Sequence, residues 1–366
     1  MDRRQFIRAC NAAGAASLWP LASLAQAAPD GPHCIIEPID MSDQVPDFMR
    51  LGLVAVGGVG SACLHEIAGN LRGFHRVIAI NTDADALQAV QADRRIWVGR
   101  DTSSHRDPQQ VTQLALAAQP EIANAVAGLD MVLLVAGLGG GAGTGISPVV
   151  AQVLRQQGIL TLGFAVMPFD FEGQERQATA QQGLLTLQRH LPALIVARNT
   201  DIAQACEADT PMAEVICQAP QAFAQLCNSI GQSVPSQQHN INFDIEDLRH
   251  LIVQYKGVGS FGFGAATLEQ GAVAAAQNAM AHPLLGLQRL RQAQAALVTV
   301  ESTPNTLMLR DWKSIATLVR SHLPPDAFVI HSTAYGPMAA GEAFRVSIWA
   351  QGLGDFDTRP AVHCTS

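Results

Sequence analysis

A glycine-rich segment constrains the fold of this chain more than any other feature of its sequence. Six of the nine residues in the segment 137–145 are glycine. The apolar run 131–136 precedes it, and apolar residues at i, i+3, i+4, i+7 and i+8 follow it within 146–154. This spacing gives a helix one apolar face, and a short apolar run suits a buried strand. The sequence therefore predicts a strand, a glycine-rich loop and a helix in direct succession.

Strand-like and helix-like segments alternate on both sides of that loop. The predicted strands are 51–56, 77–80, 131–136 and 159–166, and the predicted helices are 61–71 and 146–154. Pro148 is expected in the first turn of the second helix, where its missing N–H costs little. Alternation at this spacing predicts a mainly parallel, doubly wound α/β sheet.

The second half of the chain has a different pattern. A long helix is predicted at 212–233. After it, the predicted strands are 261–267, 295–300, 328–333 and 344–350, and the predicted helices are 268–280 and 312–323. Strands with one or two helices between them are typical of a small α+β domain.

Two glycine-rich segments each follow a predicted strand. The first contains Gly57, Gly58, Gly60 and Ser61, and the second contains Gly139, Gly140, Gly141, Ala142, Gly143, Thr144 and Gly145. Glycines at a helix start leave backbone N–H groups uncovered, and the positive end of the helix dipole attracts a phosphate to them. The alternative is a tight turn that needs a positive φ. The first segment alone would equally suit a dinucleotide site.

Several motifs resemble those of the tubulin and FtsZ family. The string GGGAGTG at 139–145 is similar to the family's GGGTGTG, and NTDA at 81–84, PFDFEG at 168–173 and NFDIEDL at 242–248 follow in the family's order. The resemblance extends from about residue 50 to 352. It implies an α/β fold, with a Rossmann-like doubly wound parallel sheet (the GTPase domain) joined by a long helix to a smaller α+β domain.

The resemblance implies GTP or GDP as the bound nucleotide, with Mg²⁺ accompanying it and no dedicated protein cage for the metal. Nucleotide contacts are expected from the two glycine-rich segments and from Asn81, Glu172, Arg176 and Asn199. Glu172 and Arg176 would contact the ribose and neighbouring groups, and Asn199 would face the base. The alternative for Glu172 and Arg176 is an i, i+4 helix pair.

The residues Asn242, Asp244 and Asp247 fall on the family's catalytic loop. The resemblance implies that this loop enters the nucleotide pocket of the next subunit and orients the water that converts GTP to GDP and phosphate. Such a head-to-tail contact does not close on itself and makes filaments. The alternative is that the two aspartates cap the helix that follows.

Parts of the sequence depart from the family pattern. The segment 99–108 lacks the glycines that would cover the γ-phosphate, and Arg100 or Arg106 would be the substitute contacts. The family aspartate that pairs with guanine falls on or near Pro220, and Ala62 replaces an asparagine. These departures favour an alternative function, a non-hydrolysing structural or regulatory polymer protein with degraded nucleotide specificity.

The predicted organisation has five segments. They are 1–28, a twin-arginine-like signal or anchor; 29–49, a linker; 50–235, the GTPase domain with its connecting helix; 236–352, the acidic loop and α+β domain; and 353–366, a short tail. Arg3 and Arg4 before a charge-free, alanine-rich stretch indicate the signal. The expected location is the cytoplasm, with association to the inner membrane through an uncleaved N-terminal segment, and the alternative is export to the periplasm.

Charge and cysteine content exclude other classes of partner. The formal net charge is -8 and no basic tract occurs, so nucleic acid is not expected. The seven cysteines lack zinc-ligand spacing, so no protein-bound metal is expected. The expected partner is a second copy of the chain in a head-to-tail homopolymer, and a primary FtsZ is a further candidate. A dinucleotide-dependent oxidoreductase, suggested by the signal and the first glycine segment, is the remaining enzyme class.

Overall fold

Alternating strands and helices build the first half of the structure, as the sequence predicts. The computed structural model describes residues 49–69, 71–99, 107–232 and 243–354, which lie within the unit Phe48–Ser366. The first half contains the strands β1 (Leu51–Val56), β2 (Phe74–Asn81), β3 (Arg94–Trp97), β4 (Met131–Gly137), β5 (Leu160–Met167) and β6 (Ala193–Arg198). The second half contains β7 (Gly257–Ala266), β8 (Ala295–Ser302), β9 (Phe328–Tyr335) and β10 (Phe344–Gln351).

The helices cover the sheet and connect its strands. The first half contains α1 (Gly57–Ile67), α2 (Ala84–Ala89), α3 (Pro108–Ala117), α4 (Gln119–Val126), α5 (Gly141–Gln156), α6 (Gln174–Gln188) and α7 (Asn199–Ala205). The connecting helix is α8 (Met212–Gly231), and the second half contains α9 (Ile245–Gln254), α10 (Ala272–Ala281), α11 (Gly286–Leu290) and α12 (Leu309–His322). No helix among these described residues is long and apolar enough to cross a bilayer.

The sheet changes character halfway across. Its strand order is β3-β2-β1-β4-β5-β6-β7-β10-β8-β9. Every pairing from β3 to β7 is parallel, whereas β10 is antiparallel to both β7 and β8. The predicted doubly wound sheet and the mixed second half are therefore confirmed. The order reverses between β1 and β4, and the carboxyl ends of strands at such a switch point are where open α/β sheets bind ligands.

The two faces of the sheet carry separate apolar clusters. Leu51 and Leu53 of β1 pack in the same cluster as Cys63 of α1, whereas Val54 packs in the same cluster as Ile146 of α5. All five side chains are buried. Helices α1 and α5 therefore cover opposite faces next to the switch point, and the burial of both faces is the main stabilising term.

Two buried thiols lie where α1 packs against α8. Cys63 of α1 and Cys227 of α8 belong to the same apolar cluster. Burial raises the pKa of both thiols well above the ordinary range, and the proximity of Cys63 adds to the shift at Cys227. Cys217, also on α8, is exposed.

A buried polar cluster joins α8 to the second half of the sheet. Gln225 Nε2 donates to Glu301 Oε1 of β8 at 2.6 Å and to Ser347 Oγ of β10 at 3.3 Å. Arg345 Nη1 lies 3.5 Å from Glu301 Oε2, and Arg345 also pairs with Glu342. Burial raises the pKa of Glu301 to about 7, although the Arg345 charge and the Gln225 hydrogen bond act in the opposite direction.

Two helices begin earlier than predicted because the glycine-rich segments form their first turns. Helix α1 spans Gly57–Ile67 instead of 61–71. Helix α5 begins at Gly141, so the prediction that Pro148 lies in the first turn is wrong; this proline lies in the helix interior. In the same turn, Ser147 Oγ donates to the carbonyl oxygen of Gly143 at 2.6 Å.

The predicted helix 268–280 begins later, at Ala272. Gly271 precedes it with φ +81°, a conformation that no α-helix includes. The end of the predicted helix 212–233 lies outside the described residues, which show α8 as far as Gly231. Strands β3 and β6 were not predicted, although the apolar run 193–197 is a strand signal of the same kind as β1.

Candidate functional site

Helices α1 and α5 begin side by side at the switch point. A Cβ built on Gly57 would lie 3.0 Å from the backbone nitrogen of Gly143. Neither helix start has a side-chain cap. The first N–H groups of a helix have no partner within the helix. The two starts therefore present backbone donors and two positive dipole ends to one place.

A cavity of about 420 Å³ lies in front of these two helix starts. Eight of the predicted nucleotide-binding residues line it, namely Gly58, Gly140, Gly141, Ala142, Gly143, Glu172, Arg176 and Asn199. Six further lining residues were not predicted from the sequence, namely Val59, Gly137, Leu138, Val166, Met167 and Pro168. Most of these lie at the carboxyl ends of β4 and β5, so the switch-point rule was the signal that could have found them.

Several of the glycines are required by packing within the chain. A Cβ on Gly143 would lie 1.9 Å from the carbonyl oxygen of Gly137, and one on Gly145 would lie 2.6 Å from that of Pro108. Gly139 has φ +97°. At these positions a tight turn or a close approach explains the glycine without a ligand.

Gly58 and Gly140 lie in a different environment. Neither has a positive φ, and nothing lies within 4 Å of the position that a Cβ would occupy at either residue. Both line the cavity. No contact in the described chain explains a glycine here, whereas a ligand that approaches the backbone closely does explain it.

The other residues of the predicted set contact the chain itself. Thr144 Oγ1 accepts the N–H of Gly139 at 2.9 Å, and Asn81 Oδ1 accepts the N–H of Thr82 at 2.8 Å. The predicted residues outside the cavity lining are Gly57, Gly60, Ser61, Asn81, Gly139, Thr144 and Gly145. They shape the loops that carry the lining residues.

Glu172 and Arg176 form the i, i+4 pair that the sequence left open as an alternative. Arg176 Nε lies 2.9 Å from Glu172 Oε2, and Glu172 Oε1 accepts the N–H of Phe169 at 2.7 Å. Among the described lining residues, Arg176 is the one that carries a positive charge, and its side chain is 51% exposed. A cation that is both exposed and held in place beside the cavity suits an anionic ligand.

Asn199 begins α7 at the carboxyl end of β6. Its Oδ1 is buried and has no hydrogen-bond partner among the described residues. A buried polar atom without a partner costs about 1–3 kcal/mol. Because Asn199 lines the cavity, a donor on a ligand is the natural partner for this oxygen.

Comparison with known proteins decides the family. The model of the Tubulin/FtsZ family, GTPase domain, matches residues 51–207, and the model of the FtsZ family, C-terminal domain, matches residues 257–354. The chain belongs to the tubulin/FtsZ family. The resemblance seen in the motifs is therefore confirmed, and this membership replaces the oxidoreductase alternative.

FtsZ proteins from two bacteria are similar in sequence over most of this chain. Cell division protein FtsZ of Caulobacter vibrioides (strain NA1000 / CB15N) is 34% identical over 311 residues, which are 83% of this chain and 60% of that protein. Cell division protein FtsZ 2 of Rhizobium meliloti (strain 1021) is 33% identical over 83% of this chain and 88% of its own length. The chain thus spans less than two thirds of the Caulobacter relative.

Solved FtsZ structures have the same fold. The empty FtsZ dimer of M. jannaschii superposes with a TM-score of 0.76 at 26% identity, over 83% of this chain and 88% of that one. CetZ2 from Haloferax volcanii, solved as a GTPγS-bound protofilament, superposes with a TM-score of 0.67 at 19% identity, over 82% and 92%. The second likeness concerns the fold alone.

The two aspartates of the family's acidic loop cap α9 in this chain. Asp244 Oδ1 accepts the N–H of Asp247 at 2.8 Å, and Asp247 Oδ2 accepts the N–H of Asp244 at 3.2 Å. This reciprocal arrangement is a capping box. It uses one oxygen of each carboxylate and leaves the other oxygen of each for a further contact. Asn242 lies outside the described residues.

The acidic helix start does not line the cavity of its own chain. The segment that contains α9 leaves and rejoins the sheet at the amino ends of its strands. A Cβ on Gly231, at the end of α8, would lie 2.1 Å from the carbonyl oxygen of Arg72, before β2. Gly257 donates its N–H to Pro192, before β6, at 2.9 Å. The cavity lies at the opposite edge, at the carboxyl ends.

Helix α8 carries a carboxylate in its first turn that sequence patterns did not single out. Pro220, on or near which the family's guanine-pairing aspartate was expected, is buried inside α8. Glu214 lies in the first turn of the same helix and is exposed. Because α8 ends at the amino ends of the strands, where Gly231 approaches Arg72, its first turn points toward the carboxyl ends, although Glu214 is not among the residues that line the cavity. Glu214 is therefore the carboxylate that α8 offers at that edge.

The site fits a metal ion that arrives with a nucleotide. Among the described residues, no group of three or more His, Cys, Asp or Glu side chains could hold a metal ion. Glu172 lines the cavity, but both of its oxygens already have partners. Mg²⁺ in nucleotide sites is held mainly by phosphate oxygens and water, so a metal ion that accompanied a nucleotide would not need such a cluster.

Proposed function

We propose that this protein binds GTP or GDP in the cavity, self-assembles head-to-tail into filaments and hydrolyses GTP where two subunits meet. Its role in this proposal is cell division or a related cytoskeletal process. Mg²⁺ accompanies the bound nucleotide and neutralises phosphate charge.

One observation carries the proposal. Two uncapped helix starts meet at a cavity in which Gly58 and Gly140 leave the backbone open. Uncapped N–H groups at two positive dipole ends suit the multiple oxygens of a polyphosphate. Arg176 supplies a side-chain cation at the rim.

The base would bind at the other end of the cavity. The unpartnered Oδ1 of Asn199 is an acceptor for an N–H of the base. Guanine presents two neighbouring donors, N1–H and N2–H, and a carboxylate is the group that accepts both. We assign that role to Glu214, in the exposed first turn of α8, because the ring of Pro220 carries no hydrogen-bond acceptor.

Hydrolysis would require a second subunit. Asp244 and Asp247 lie outside the cavity of their own chain, and each keeps one carboxylate oxygen free of the capping box. In a head-to-tail filament, these oxygens would reach the phosphate end of the neighbour's cavity and orient the attacking water. This contact is heterologous and leads to an open filament.

We place this activity in the cytoplasm, with the N-terminal segment 1–28 retained as a contact to the inner membrane. GTP is available there, and the activity depends on it. The segment lies outside the described residues. Cell fractionation tests the placement, because a processed, protease-protected protein in the periplasm would contradict it.

The central experiment measures phosphate release and light scattering with GTP, with ATP and without nucleotide. The wild type is compared with Gly140→Ala and Asp247→Ala. We expect assembly and turnover with GTP, loss of nucleotide binding in Gly140→Ala, and a filament that turns over on the order of a hundredfold more slowly in Asp247→Ala.

Two variants serve as matched controls. Gly336→Ala adds a Cβ that meets only an ordinary contact, 3.6 Å from Gln232. Asp311→Ala removes a carboxylate that accepts its helix's N-cap N–H at 3.1 Å, as Asp247 does. Neither should change turnover. Filaments that form without nucleotide and without turnover would reject the proposal and leave the non-hydrolysing polymer protein, which the departures from the family pattern favour.

A further inference from the structure

Three consecutive residues at the start of α7 contact three different parts of the molecule. Asn199 lines the cavity. Thr200 Oγ1 accepts the N–H of Asp170 at 3.2 Å, in the turn that carries Glu172. The carboxylate of Asp201 pairs with the guanidinium of Arg289 on α11, in the second half of the chain. The start of α7 is therefore a junction between the cavity, a neighbouring turn and the second half.

Arg289 is anchored on its own side of this contact. Its Nη1 donates to the carbonyl oxygen of Leu284 at 3.1 Å and to that of Pro283 at 3.3 Å. The carbonyl of Leu284 also accepts the hydroxyl of Ser260 on β7. The guanidinium is therefore held by backbone groups that are themselves tied to the second half of the sheet.

Helix α7 depends on such outside contacts. It has seven residues and no side-chain cap, and a helix this short is not stable by itself. Successive residues of a helix differ by about 100° around its axis, so Asn199 and Asp201 point in nearly opposite directions. Fixing Asp201 therefore also fixes the direction in which Asn199 points.

We propose that Asp201 and Arg289 form a positioning pair for nucleotide binding, which holds the start of α7 against the second half of the chain and thereby keeps Asn199 directed at the base. The inference rests on the proposed function, since it needs a nucleotide in the cavity. Neither residue lines the cavity, so the pair acts through Asn199. The side chains are 36% and 23% exposed, so the expected effect is moderate.

The test measures the Kd of a fluorescent GDP analogue and the melting temperature of each variant of the full chain. Asp201→Asn and Arg289→Gln should each weaken binding roughly three- to fivefold, the scale of a partly exposed ion pair. The double variant Asp201→Asn with Arg289→Gln should bind no more weakly than either single variant, by the logic of a double-mutant cycle. Arg50→Gln is the matched control, because it removes an ion pair with Asp130 at 2.9 Å at the other edge of the sheet.

A second cycle separates positioning from general stability. In an Asn199→Ala background, Asp201→Asn should cause no further loss of affinity, because the group that it positions is gone. Four outcomes would each overturn the inference: single variants that bind as wild type, a lower melting temperature with unchanged Kd, losses of affinity that add in the double variant, or an equal loss in the Asn199→Ala background. A wild-type protein that binds no nucleotide would instead reject the proposed function, and the inference with it.

Discussion

The cavity and the polar cluster around Glu301 differ in whether their buried polar groups have hydrogen-bond partners. In the cavity, Asn199 Oδ1 has no partner and two helix starts have no cap. In the cluster, Gln225 and Arg345 satisfy the buried Glu301 carboxylate from two sides. An unpaired buried polar group costs about 1–3 kcal/mol. The cavity therefore retains a cost that a ligand relieves, whereas in the cluster Arg345 and Gln225 offset part of the cost of burying the Glu301 carboxylate.

The largest expected effect separates the two kinds of glycine in the cavity. Gly143→Ala would place a Cβ 1.9 Å from the backbone oxygen of Gly137. The new Cβ and the oxygen that it meets both belong to backbone segments packed in the fold, so the clash cannot be relieved by a side-chain movement. We therefore expect the unfolding free energy to fall by more than roughly 3 kcal/mol. Gly140→Ala, with open space, should change it by less than about 0.5 kcal/mol. Urea unfolding measures both, and equal losses would contradict the division into packed and open glycines.

The next effect is a pH dependence of the unfolding free energy, set by the polar cluster around Glu301. Burial raises the pKa of Glu301 from 4.5 to about 7, so the folded state binds a proton that the unfolded state releases between these values. The stabilising contribution is present below pH 4.5 and lost as pH rises to about 7, for a total of roughly 3 kcal/mol. Glu301→Gln should flatten this dependence in urea unfolding at several pH values.

A neighbouring carboxylate provides the control for that measurement. Glu342 also pairs with Arg345 but is not fully buried. Glu342→Gln should therefore keep most of the pH dependence of the wild type, slightly reduced because the Glu342 charge helps to raise the pKa of Glu301. A slope that survives in Glu301→Gln would show that the buried cluster does not set it.

A smaller effect tests the unpartnered Asn199 oxygen in the cavity. Asn199→Ala removes an unpaired buried oxygen, so we expect unchanged or slightly higher unfolding free energy and about tenfold weaker nucleotide binding, which is roughly 1.4 kcal/mol. Asn228 on α8 also has a buried Oδ1 without a partner, but it does not line the cavity. Asn228→Ala should leave the affinity unchanged in the same titration. Equal affinity losses in both variants would argue against a specific contact at Asn199.

The smallest effect compares two helix caps. Asp247→Ala and Asp311→Ala each remove a carboxylate that accepts an N-cap N–H, at 3.2 and 3.1 Å. Each should lower the unfolding free energy by about 1 kcal/mol. Thermal melting measures this loss, and a much larger loss in Asp247→Ala would mean that its side chain supports more than the cap.

The sequence predicts best what depends on local pattern. The strand β1 was predicted with the bounds Leu51–Val56, because glycine punctuates an apolar run. The starts of α1 and α5 were placed too late, because glycine normally signals a loop and here forms the first helical turn. The glycines of the second loop were predicted as one phosphate-binding set, yet the contacts of Gly143 and Gly140 differ completely.

Contacts between distant segments were beyond the reach of sequence patterns. The isolation of Asn199 Oδ1 depends on what surrounds the end of β6. The burial of Glu301 and its bond to Gln225, 76 residues away, depend on how α8 packs on β8. Likewise, nothing local distinguishes Asp201 from any other acidic residue near a helix start, and only its contact with Arg289 gives it a role.

The reactivity of the two thiols between α1 and α8 can report how often these two helices separate. Cys63 and Cys227 are fully buried, and burial raises the pKa of both thiols, so a thiol reagent reaches them only when these helices separate. Cys217 is exposed on α8 and reacts without any opening. The labelling rate of each buried thiol would be measured with and without nucleotide and divided by the rate of Cys217. This ratio would give the free energy of helix separation in the unmodified protein.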